Sequence, residues 1–126
     1  MTRIRLAAAA LFAALPGVAQ SSQAAPATVT VNLSSYRFDP SPLVLQADRP
    51  VRMTFVNQGG RSHDFTAREF FQASRIVGGK VSDGKVDLKG GQQAVVELVP
   101  QRGTYRVHCG KFLHSGFGMK GIIVVQ

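Results

Sequence analysis

Cys109, His114 and Met119 follow one another at equal intervals, Cys-x4-His-x4-Met, late in the sequence, and His63 stands far upstream. Together they offer a thiolate, two imidazoles and a thioether. Thiolate sulfur suits soft Cu(I), and imidazole is acceptable to Cu(II). One thiolate and two imidazoles with a weak thioether are therefore the ligand set of a mononuclear copper site that serves both oxidation states. Little geometry has to change when the charge does, so an electron can pass quickly. Four-residue gaps let one loop arc around an ion, and Ser115, Gly116 and Gly118 permit a tight path. His63 has to arrive from a separate element, so the scaffold must hold most of the geometry.

Each residue also has a plainer reading. Cys109 can be an inert buried thiol, a common fate for a lone cysteine. His63 can be a loop histidine satisfied by hydrogen bonds, and Met119 can simply fill the core. Cys109 and His114 can form a nucleophilic pair, but that reading has no orienting third residue and leaves His63 and Met119 unexplained. His108 and Met53 are read as a surface residue and a core residue.

The elements that must position these side chains read as strands. Residues 28–33 (TVTVNL) alternate apolar and polar, the period of a half-buried strand. Further strands are expected at 36–38, 43–46, 51–57, 63–66, 92–99, 103–109 and 121–125, separated by Gly and Pro signals. Seven or eight short strands without regularly spaced helices suggest an all-β sandwich. Residues 67–77 (AREFFQASRIV) are the exception: Phe70, Phe71, Ala73 and Ile76 have a loosely helical spacing, which predicts a short helical excursion packing aromatics onto the sandwich. Residues 78–91 read as loop and short ladder, with Val81, Val86 and Leu88 touching the core. In the strand leading to the cysteine, Tyr105, Val107 and Cys109 share the inward face, while Thr104, Arg106 and His108 point out.

Residues 1–19 carry Arg3 and Arg5, an apolar run from Leu6 to Leu15, the helix-breaking Pro16-Gly17, and then small residues. That is the pattern of a secretory signal peptide, with cleavage after Ala19 or as late as Ala25. The apolar run is too short to span a bilayer. Residues 20–27 read as a flexible leader and residues 28–126 as the folded domain. The whole sequence of 126 residues is one domain's worth, and its single Cys excludes an internal disulfide framework. In an exported protein an idle thiol is also an oxidation liability. The net charge is +8, from 15 Lys and Arg against 7 Asp and Glu. The cations are scattered, without a dense basic run among aromatics, which argues against nucleic-acid binding. They fit either a solvated surface or steering toward acidic partners.

With these residues in view, the sequence resembles the cupredoxins, and more narrowly the small exported bacterial blue copper proteins of the plastocyanin and azurin type. The resemblance rests on Tyr36-Arg37-Phe38-Asp39-Pro40, on residues 57–65 around the first histidine, on Gly103-Thr104-Tyr105 leading to the cysteine, and on Met119-Lys120-Gly121. It implies a Greek-key β-sandwich and one copper ion held by His63, Cys109, His114 and, as weak axial ligand, Met119. It also implies a periplasmic one-electron carrier that is a monomer and not an enzyme. Its partners would be redox proteins with acidic docking surfaces, with no nucleic acid and no membrane attachment after signal removal. A periplasmic copper-binding protein for tolerance or delivery is the alternative. An apolar rim of residues 110–117 around His114 is expected to be the docking point. Two departures from the family pattern carry expectations of their own. Asp64 stands where relatives usually have Asn, so it can accept but not donate beside the ligands, and its charge should favour Cu(II). Phe112-Leu113 stand where many relatives have Pro-Gly, which makes the ligand loop bulkier.

Overall fold

The computed structural model describes residues 12–20, 24–111 and 118–126. Among them are ten strands and one short helix. Strands β1 (Ala27–Ser34), β2 (Arg37–Asp39), β4 (Val51–Asn57), β6 (Arg75–Gly78) and β8 (Gln93–Val99) form one sheet, in the order β2-β1-β4-β8-β6. Strands β3 (Leu43–Leu45), β5 (His63–Thr66), β7 (Lys85–Leu88), β9 (Gly103–His108) and β10 (Lys120–Val125) form the other, in the order β3-β10-β9-β5-β7. The pairs β1–β4 and β3–β10 are parallel and the rest antiparallel. This is the all-β sandwich expected, with its short helix α1 at Arg68–Ala73.

Alternation builds the core. In β4, Val51, Met53, Phe55 and Asn57 are buried and Arg52 is exposed. In β9 and β10, Val107, Ile123 and Val125 point in, while Thr104, Arg106, His108, Lys120 and Ile122 point out. The phase expected for the cysteine-bearing strand is therefore observed. Phe65 sits at the centre of the aromatic packing, with ring centroids 4.9 Å from Phe55, 5.5 Å from Phe38 and 6.1 Å from Phe71. A ring so placed contributes about 3–5 kcal/mol, judged by the usual cost of truncating a buried Phe to Ala. It also lies on β5, two residues from His63, so the same packing that holds the sandwich holds that strand.

One short strand, β6, goes beyond the expected set. The helix stops at Ala73, where the Ser74 hydroxyl and N–H both donate to the Phe70 carbonyl, at 2.7 and 3.0 Å. Ser74 is extended, and the chain continues as β6 along β8. Ile76 is therefore an exposed strand residue and not part of a helical face. Its β-branched neighbour Val77 has the same preference for a strand. The ladder expected in residues 78–91 is β7, and Val86 and Leu88 are buried as expected, with Val81 packed against the core.

Tyr105 locks the turn before the cysteine-bearing strand. Its hydroxyl donates to the Gln101 carbonyl at 2.9 Å. Gly103 is required beneath it, since a Cβ there would sit 2.9 Å from that hydroxyl. Residues 12–20 form no helix or strand, and Phe12, Leu15 and Val18 are exposed, so this segment adds nothing to the core.

Candidate metal centre

His63 opens β5, Cys109 follows the last residue of β9, and Met119 precedes β10. All three are buried, with 2, 0 and 0 % of their surface exposed. His114 lies outside the described residues, as do Phe112, Leu113 and most of the expected apolar rim.

Backbone hydrogen bonds bring the three described residues to one end of the sandwich. The N–H of Asp64, the residue after His63, donates to the Cys109 Sγ at 3.4 Å. The N–H of Cys109 donates to the Met119 carbonyl at 3.0 Å, extending the β9–β10 ladder beyond the strand ends. The sulfur is thus held from the histidine side by the Asp64 amide, and the cysteine backbone from the methionine side by the Met119 carbonyl. Burial pushes the Cys109 thiol above its ordinary value, and the Asp64 and Lys111 backbone amides act in the opposite direction.

Asp64 ties the two segments together. It is 1 % exposed, and its Oδ1 accepts from the Gly110 N–H at 2.7 Å and from the Thr66 hydroxyl at 2.6 Å. The expectation that Asp64 would act as an acceptor is met, and the bridge between loops exists. Thr66 completes it as the hydroxyl donor. A signal for that was present, because residues 64 and 66 share one face of a strand. Space at Gly110 is short: a Cβ there would lie 3.2 Å from the Asp64 Oδ2.

The segment before His63 is organised by Asn57, whose role sequence reasoning missed. Its side-chain amide donates to the carbonyls of Arg61, Leu88 and Lys89, at 2.8, 3.2 and 3.1 Å. Its Oδ1 accepts the Gly59 N–H at 3.0 Å. A buried Asn with both ends engaged pins the turn to the end of β7. Gly59 then lies against the imidazole: a Cβ there would be 3.2 Å from the His63 Nε2. The Nε2 edge of the ring therefore faces the turn. Asn57 is followed by Gln58-Gly59-Gly60, so the sequence signalled a turn but not these partners.

Charge surrounds the cysteine segment from outside. The Lys111 ammonium meets both oxygens of Asp87, at 2.9 and 3.1 Å. Asp87 is the cross-strand neighbour of Asp64, so the cation offsets two carboxylates set opposite each other. The Asp87 contact holds Lys111 above the ordinary lysine value.

Two buried sulfur donors and a buried imidazole fit a soft metal of the copper type better than a hard cation. Among the described residues no three His, Cys, Asp or Glu side chains group as a metal site. The expected set includes only His63 and Cys109 of those types in the described part, with a thioether and the undescribed His114 as the rest.

The chain was compared with known proteins. The family model of the cupredoxin-like domain matches residues 5–125. Comparison with curated protein sequences returns no match. Among solved structures, auracyanin B is 25% identical with a TM-score of 0.61, over 82% of this chain and 91% of that one. The dithionite-reduced auracyanin of the photosynthetic bacterium Roseiflexus castenholzii is 18% identical with a TM-score of 0.61, over 82% of this chain and 99% of that one. A multicopper oxidase from Campylobacter jejuni is 10% identical with a TM-score of 0.63, over 86% of this chain but only 32% of its own. The latter two likenesses speak for the fold alone. With a sandwich of this topology and a family match over nearly its whole length, the chain belongs to the cupredoxin-like domain family.

Proposed function

We propose that this chain is a type 1 (blue) copper protein, a one-electron carrier acting as a monomer in the periplasm. One copper ion would be held by His63, Cys109 and His114, with Met119 as weak axial ligand. When bound, the ion supplies a one-electron couple. The observation that carries the reading is the double anchoring of Cys109, by the amide next to His63 on one side and by the Met119 carbonyl on the other. The chain's own residues then do three things. The Asp64 N–H stabilises negative charge on the sulfur. The Asp64 carboxylate holds Gly110 in place, and the Asn57 turn holds His63. A frame fixed this way resists rearrangement when charge changes, which is what a carrier needs.

The reading is of a carrier and not an enzyme. The oxidase likeness covers 32% of a larger chain and speaks for the fold alone. The burial of His63, Cys109 and Met119 favours retention of the ion over ready handover, which weighs against copper delivery. The existence of a dithionite-reduced auracyanin fits a reducible centre in this fold. The signal pattern of residues 1–19 supports export. No helix among the described residues is long and apolar enough to cross a membrane.

The test is visible absorption after Cu(II) is added to the protein, with Cys109→Ser as the control. An intense thiolate-to-copper band that is bleached reversibly by ascorbate, and is absent in Cys109→Ser, is the expected result. A wild-type protein that binds Cu(II) without that band ends the proposal.

A further inference from the structure

The outward face of β3, β10 and β9 joins exposed cations to exposed apolar residues. Its register places Lys120 opposite His108, Ile122 opposite Arg106, and Val124 beside Val44. Lys120, His108, Arg106, Ile122 and Val44 are exposed, with half of Val44 and 47% of Ile122 open to solvent. Two shallow grooves run along β10 and share Lys120 and Ile122 in their walls. No carboxylate lines either groove. The ion pairs among the described residues are Arg52–Glu97, Arg68–Asp83 and Lys111–Asp87, and none of them engages Arg106 or Lys120.

We infer that this face, an apolar floor of Val44, Ile122 and Val124 flanked by Arg106, His108 and Lys120, is a docking surface for an acidic protein partner. It goes beyond the electron-carrier reading and rests on it only for what the partner is for. Three observations select this occupant. Arg106, His108 and Lys120 line one groove with no carboxylate in its wall, Asp39 lying beside Lys120 only on the side away from it, and the two full cations leave a field that steers and registers an acidic surface. A second copy docked face to face would set Arg106 and Lys120 against themselves, and like-charge contact opposes it. A membrane would need long apolar side chains to insert, whereas here they are short β-branched residues standing in the floor of a sheet. The position also matters. His108 is bonded directly to Cys109, and Lys120 directly to Met119, so a partner seated here lies one residue from two of the proposed ligands.

The test is heteronuclear NMR at low ionic strength on isotope-labelled protein kept reduced with ascorbate. Two probes are added in turn: hexacyanochromate(III), a redox-inert paramagnetic anion, and an acidic flavodoxin. The expected result is that both act on residues 104–108 and 120–124. The double variant Arg106→Glu with Lys120→Glu should weaken flavodoxin binding by roughly tenfold or more. Arg75→Glu with Lys80→Glu, on the other sheet, should leave it unchanged. Responses centred on β6, or equal weakening by both double variants, would overturn the inference. So would a response to phosphatidylglycerol vesicles without one to flavodoxin, or shifts that grow with protein concentration before any probe is added. Binding read this way needs no visible band, so loss of the copper reading and loss of the docking surface are told apart.

Discussion

The two segments that bring the proposed ligands together are held by different physics. The segment before His63 is held by a neutral amide: Asn57, buried, with donors and acceptor all engaged. The segment after Cys109 is held by charge, through the buried Asp64 carboxylate on Gly110 and the outer Lys111–Asp87 pair. A neutral clamp is indifferent to salt and to pH. A charged one answers to both, and it also sets the electrostatics around the sulfur. The histidine side is thus the rigid reference, and the cysteine side is where the site can be tuned.

Breaking the neutral clamp should have the largest effect. Asn57→Ala removes the side-chain partner of the Arg61 and Leu88 carbonyls and of the Gly59 N–H, while the Lys89 carbonyl keeps the Gln92 N–H, and should cost about 3 kcal/mol in urea unfolding. That cost should be the same at low and high salt. Asp64→Ala comes next, at about 2 kcal/mol, because the Gly110 N–H and the Thr66 hydroxyl lose a charged acceptor. Asp64→Asn sharpens the comparison. It keeps an acceptor for Gly110, so stability should largely return, while removal of the negative charge beside the sulfur should raise the reduction potential in cyclic voltammetry. An unchanged potential would mean that Asp64 only positions.

Lys111→Ala should be smaller still. The pair is partly exposed, so the loss should stay below about 1 kcal/mol and disappear at high salt. Its sign in pH is fixed: the Lys111 value is raised by Asp87, so the contribution is complete below the ordinary lysine range and is lost as pH rises through the elevated value. The smallest effect is expected at Arg68 and Asp83, which is remote from both clamps. Arg68 holds the Asp83 carboxyl below its ordinary value. The pair's contribution is present above the ordinary carboxylate range and is lost as pH falls through the lowered value. Arg68→Ala should return the Asp83 titration midpoint upward in NMR with no measurable change in unfolding.

The strands that carry the chemistry were legible from alternation. Residues 51–57 and 63–66 were bounded as the structure has them, because their inward residues are apolar or site-forming and the first of them lies between Pro50 and Gly59-Gly60. β6 was hidden, since Phe70 and Phe71 just before it have helical spacing and Ile76 finds its order only against β8. At the site, residue types and spacing named His63, Cys109 and Met119, and the structure places these three at one buried end. His114 falls outside the described residues. Asn57 was not legible as a clamp, because two of its acceptors, Leu88 and Lys89, are more than thirty residues away. The pairing of β5 with β7 and the end of the β4–β8 ladder bring them near.

Strand β10 is the last element of the chain, yet it lies inside its sheet, between β3 and β9. Until it arrives, β3 has no neighbour and one wall of the sandwich is open. Closing that wall joins residues 43–45 to residues 123–125 across most of the described sequence. Folding that waits for long-range pairings is slow on the scale of small domains. The anchor between Cys109 and Met119 continues the ladder of this same strand, so one element both shuts the wall and seats the proposed metal centre.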